Sequence, residues 1–167
     1  MTRYIGLPIV LVAAILDASV MPELRIGGGA PDLLFLVVVS WAMLADARDA
    51  MLWAVFGGAI QDILSFTPLG ASALGLVVVA FAADALLGDV RRTNLLLPPL
   101  AMGVGTVVYH LGLIIVLRLD GHTVPLNVGL LNVTLPTAIY HMLLSVPVFR
   151  LVGLVHGWLT PRRVQLE

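Results

Sequence analysis

The sequence predicts an all-α integral membrane protein, a compact bundle of six transmembrane helices with both termini cytoplasmic. Three observations carry that prediction: charge is scarce, apolar runs alternate with short links, and arginines gather on every second link. Of the 167 residues, 60% are apolar and 11% charged, with a mean hydropathy of +1.05. A soluble domain is about half apolar and roughly a quarter charged, and a small one has proportionally the most surface to solvate. The composition therefore excludes an ordinary cytosolic domain and a disordered chain. A net charge of −1 excludes a basic nucleic-acid binder. With no cysteine, disulfides, thiolate catalysis and cysteine-ligated metals are excluded as well.

A membrane-crossing helix needs about 20 largely apolar residues. The first span covers residues 4–21, with Arg3 ahead of it and Asp17 near its far end. Ala18-Ser19 before Pro22 is not a clean signal-peptidase site, and five more apolar segments follow, so this span is expected to stay uncleaved. The second span, 31–46, has an apolar core of only thirteen residues, LLFLVVVSWAMLA. As a helix that is about 20 Å, short of a hydrocarbon core of about 30 Å. It either crosses with help from its flanks and local bilayer thinning, or forms a re-entrant hairpin with the third segment. Both options leave the two termini on one side. The third span, 50–66, carries Gln61 and Asp62; the others are 70–87, 95–117 and 135–158. Residues 118–134, with Gly121, Pro125, Asn127 and Asn132, read as an exposed loop. Residues 1–167 form a single transmembrane domain with no room for a soluble one.

Arginine placement orients the bundle. All nine basic residues are arginines, and six of them (Arg3, Arg48, Arg91, Arg92, Arg162, Arg163) fall on the side of the termini. The opposite side has Arg25 and Arg118, while Arg150 lies within span six.

Ionisable side chains inside a span are costly to insert, so each invites a functional reading. At 1.5 Å per residue, Asp62 lies about 18 Å from the cytoplasmic start of its span. His110 and His141 fall at similar depth, so an outer-leaflet polar cluster of Asp62, His110 and His141 is expected. Asp62 has a blander reading, because Ser65-Phe66-Thr67-Pro68 follows it and a carboxylate there can serve the next helix N-terminus. A ligand or partner role stays open beside it. For the histidines of Tyr109-His110 and Tyr140-His141, interhelical hydrogen bonding is the usual task. Asp84 is spaced to pair with Arg91, and Arg150 and His156 can snorkel to the cytoplasmic interface. Ala54/Gly58, Ala71/Gly75 and Ala101/Gly105 have the spacing that lets helices touch, and Gly57-Gly58 would let a neighbour pass close to Asp62. Phosphate-loop, zinc-protease and serine-hydrolase motifs are absent, as are clustered aspartates. The expectation is no catalytic residue, no metal, no cofactor and no enzyme.

The ordered set Ala30-Pro31-Asp32-Leu33-Leu34, then Gly57-Gly58-Ala59-Ile60-Gln61-Asp62-Ile63-Leu64-Ser65, then Leu69-Gly70-Ala71-Ser72-Ala73-Leu74 resembles the bacterial rod shape-determining protein MreD family. The resemblance implies a non-enzymatic subunit of the cell-elongation (rod) complex in the bacterial inner membrane. It implies MreC as partner, RodA and its transpeptidase partner directly or through MreC, and the MreB cytoskeleton indirectly; a homodimer is compatible with it. Pro31, Asp32, Gly57, Gly58, Asp62 and Gly70 would then be the partner-binding or structural candidates, with the Pro31-Asp32 and Asp62-to-Gly70 regions shaping the outer end of the bundle and Gly70 allowing a tight return. The alternative is the substrate-binding membrane subunit of an energy-coupling-factor vitamin transporter. Such subunits are similarly small and six-spanned, and dock through small residues for which Ala14/Ala18 is the nearest equivalent here.

Overall fold

A short apolar helix forms the axis of the molecule. Helix α2 (Leu33–Leu44) buries every residue from Leu34 to Met43. It packs against the five other α-helices of the described residues: α1 (Thr2–Ser19), α3 (Ala47–Ser65), α4 (Ala71–Leu87), α5 (Leu97–Leu119) and α6 (Leu135–Leu159).

 Helix α6, spanning Leu135–Leu159, is the longest of them. The computed structural model describes residues 2–45, 47–87, 96–123, 125, 127 and 129–159. Arg91, Arg92, Arg162 and Arg163 lie outside these residues, and with them the expected Asp84–Arg91 pairing.

The length and composition of α2 follow from its position. Twelve residues make a helix of about 18 Å, and one that is apolar on every side belongs in an interior. The other five helices stand around it in the order α1, α3, α4, α5, α6, each packed on the next. Gly58 of α3 allows a close approach to α4, because a Cβ there would sit 2.4 Å from the Ala73 Cα. Gly57, one residue earlier, faces Leu34 and Val10 from the other side of α3, where a Cβ would sit 2.7 Å from each.

The exterior is apolar too. Along α5, Leu100, Val104, Val108, Leu111 and Ile115 are exposed at helical spacing, and Leu143, Leu151 and Leu154 are exposed on α6. These two helices, as Leu97–Leu119 and Gly129–Leu159, are long and apolar enough to cross a membrane. Gly6–Ser19, Leu33–Leu44 and Ala71–Leu86 are shorter apolar helices.

The connections differ from the sequence reading at residues 118–134. Residues 118–134 are only partly a loop: α5 continues to Leu119, and a π-helical turn at Gly129–Thr134 leads directly into α6. Thr134 closes that turn by donating its hydroxyl to the Gly129 carbonyl at 3.1 Å. Between α1 and α2, the chain makes a 3-10 turn (Met21–Leu24) and then a tight reversal at Ile26–Gly29. Gly27 and Gly28 have φ of 61° and 89°, the pair of positive values of a type I′ turn. This reversal packs on α6, since a Cβ on Gly29 would meet the Thr137 nitrogen at 2.6 Å.

Candidate functional site

At one end of the bundle the N-terminus of α2 meets three polar side chains from other helices. The first backbone N–H groups of a helix have no partner within it, and in an apolar interior each must find one. Asp32, just ahead of α2, accepts from Phe35 N through Oδ1 at 2.7 Å, an N-cap three residues back. Asp17, near the end of α1, accepts from Leu33 N through Oδ1 at 2.9 Å. The Asp32 backbone N–H itself donates to His141 Nε2 of α6 at 2.9 Å. Placing two carboxylates here also suits the positive end of the helix dipole.

Gln61 of α3 ties these groups together. Its Nε2 donates to Asp17 Oδ2 at 2.8 Å and to Asp32 Oδ2 at 3.1 Å. Its Oε1 accepts from the Tyr109 hydroxyl of α5 at 3.3 Å. One buried amide thus joins α1, α2, α3 and α5, and both of its N–H donors are used.

The hydrogen bonds of His141 determine its tautomer. A backbone amide can only donate, so Nε2 carries no proton. The Thr106 hydroxyl donates to the Met102 carbonyl at 2.6 Å, so its oxygen accepts the Nδ1–H of His141 at 2.7 Å. The ring lies flat against Phe35 with centroids 4.7 Å apart. His110 repeats the arrangement. Thr134 donates to Gly129 O and accepts from His110 Nδ1 at 2.9 Å. Each Tyr-His dipeptide therefore supplies a histidine that donates Nδ1–H to a threonine.

Asp62 faces away from this junction. Its Oδ1 accepts from Thr67 Oγ1 at 2.9 Å and Ser72 N at 3.0 Å, and its Oδ2 from Gly70 N at 2.8 Å. Both oxygens serve the turn into α4, and none of their bonds reaches His110 or His141. The structure thus does not join Asp62, His110 and His141 directly. Adjacent positions on a helix point about 100° apart, which sends Gln61 into the junction and Asp62 towards α4. In the same turn Gly70 has a φ of 97°, and Phe66 has a φ of 55° with its ring 96% exposed.

Pro31 is buried where the glycine turn enters the junction, and Asp32, Gly57, Gly58 and Asp62 lie on α2, α3 and their flanks as described. The sequence reading passed over Gln61, Thr106 and Tyr109 as candidates, and noted Asp17 only as the marker of a helix end. One signal was available: an amide and a carboxylate side by side in an apolar run cannot both face lipid.

These elements define a helical membrane protein whose buried polar side chains join helices to one another. Among the described residues, no group of three or more histidine, aspartate or glutamate side chains could hold a metal ion. The family model of rod shape-determining protein MreD matches residues 1–155, and the chain belongs to that family. Its role is therefore in rod shape determination. No curated protein and no solved structure matches the chain. The vitamin-transporter alternative receives no support from these comparisons.

Proposed function

We propose that the protein is a non-enzymatic, multi-pass inner-membrane subunit of the rod complex that binds MreC and helps position the peptidoglycan synthases. The observation that carries this reading is the family match over residues 1–155. The apolar exterior of α5 and α6 supports placement in the bilayer, with few groups outside it. The six helices are read as six crossings, with α2 shielded from lipid and so free to be short. The arginine distribution supports cytoplasmic termini. On this topology the Asp17/Asp32 junction and the Asp62-to-Gly70 turn form the periplasmic end, and present it to the scaffold.

The test is co-purification of MreC with the wild-type chain and with Asp62→Ala and Gly70→Trp variants that retain cooperative melting. Loss of MreC from the folded variants is expected. Equal recovery of MreC from all three chains would remove the role given to this end of the bundle. Failure of the wild-type chain to recover MreC would remove the proposal itself.

A further inference from the structure

The polar junction borders a cavity that helix packing does not use. It measures about 370 Å³, near the lower end of the roughly 300–1,000 Å³ typical of small-molecule pockets. Asp17 and Asp32 both line it, together with Arg25 from the segment after α1 and His110 from α5.

The carboxylates on these walls keep unused acceptor capacity. An ionised carboxylate offers about four acceptor positions. Asp17 spends two on Leu33 N and Gln61, and Asp32 spends three on Phe35 N, Leu34 N and Gln61. About three positions remain between them. Neither carboxylate has an ion pair among the described residues. His110 commits its Nδ1–H to Thr134, which leaves Nε2 as a further acceptor. Two carboxylates sharing one amide repel each other, and a cation between them relieves that repulsion.

The rim has a different character. Leu64 and Val133 line the same cavity while 41% and 40% exposed. Arg25 is among the lining residues, and its guanidinium has a geometry suited to phosphate. An acceptor-rich wall, one guanidinium and an apolar rim together complement an amphiphile that carries a primary ammonium next to a phosphate.

We propose that this cavity binds the headgroup of a phosphatidylethanolamine-type lipid, with its ammonium between Asp17 and Asp32, its phosphate on Arg25 and its chains over Leu64 and Val133. The inference rests on the bundle's lying in a membrane and is independent of MreC. An ammonium brings three N–H donors, whereas the trimethylated choline headgroup brings none. A site built to hydrogen-bond discriminates strongly against an analogue without donors.

The test is lipid retention by the delipidated full-length protein, measured by native mass spectrometry with phosphatidylethanolamine, phosphatidylcholine and phosphatidylglycerol. Phosphatidylethanolamine is expected to be retained at least about tenfold better than either of the others. Asp17→Asn should abolish that preference. Arg25→Gln, at an exposed position, should weaken the ethanolamine and choline lipids alike and leave their ratio unchanged. Equal retention of the ethanolamine and choline lipids by the wild type would overturn the proposal. So would a preference that survives in Asp17→Asn protein melting at the wild-type temperature. If Asp17→Asn does not fold, the wild-type ratio and the Arg25→Gln series decide. A cavity that excludes lipid because a co-purifying protein segment occupies it also counts against the proposal. Because no MreC is present, failure here leaves the partner reading to its own co-purification test.

Discussion

The His141–Thr106 bond offers the most discriminating test of how the bundle is held together. Thr106 and His141 are fully buried, on α5 and α6, and their 2.7 Å bond requires the Nδ1–H tautomer. Thr106→Val keeps the side-chain volume but leaves that N–H without an acceptor. A buried donor stranded in this way costs about 1–3 kcal/mol. His141→Phe keeps a ring against Phe35 and strands the Asp32 N–H. It should cost more than Thr106→Val, because α2 also loses its anchor to α6. In membrane bundles, interhelical bonds measured by double-mutant cycles average about 0.6 kcal/mol and reach about 1.7. The cycle from Thr106→Val, His141→Phe and the double variant should therefore give a coupling of about 0.6–1.7 kcal/mol, read from equilibrium unfolding in mixed detergent. Nitrogen NMR of the histidine ring should show a protonated Nδ1 and a bare Nε2. Additive effects, within about 0.3–0.5 kcal/mol, would refute the bond, and a protonated Nε2 would refute the tautomer.

Four further predictions concern the helix framework. Gln61→Leu removes three hydrogen bonds and leaves two neighbouring carboxylates unscreened; it should destabilise by about 2–4 kcal/mol, with a loss under about 0.5 contradicting the bridging role. Asp62→Ala leaves Gly70 N and Ser72 N without their acceptor and should cost about 2 kcal/mol or more, whereas Asp62→Asn should cost less because one oxygen is kept; equal losses in thermal melts would argue against the cap. Gly58→Val forces α3 from the Ala73 backbone of α4 and should cost at least about 1–3 kcal/mol. Gly157→Ala, where a Cβ meets nothing within 4 Å, should be neutral or stabilising by up to about 1 kcal/mol.

Much of the architecture was legible in the sequence because hydropathy and helix length are local properties. Six apolar runs between Arg- and Pro-marked links correspond to the six α-helices among the described residues, and their ends agree to within a few residues. The exception at residues 118–134 involves a nonlocal contact: the π-helical turn ends on Thr134, whose hydroxyl also meets His110 from α5. The short second segment was ambiguous for a similar reason. Its length shows that it is too short to face lipid comfortably, while only the packing of five helices around it shows that it need not.

The site divides along the same line. Composition alone established a chain that must live among apolar surroundings, and the spacing of Gly57-Gly58 marked a close helix approach. The ordered motifs from Ala30 to Leu74 pointed to the family that the comparison shows. Which polar groups meet was decided by the tertiary structure. Gln61 and Asp62 are neighbours in sequence, yet one rotation of about 100° sends the amide to Asp17 and Asp32 and the carboxylate to the turn before α4. A sequence gives the depth of a polar residue along its helix, because rise per residue is constant. The direction in which that residue points is settled only when neighbouring helices pack, since each buried donor then has to find an acceptor that lies far away in the chain.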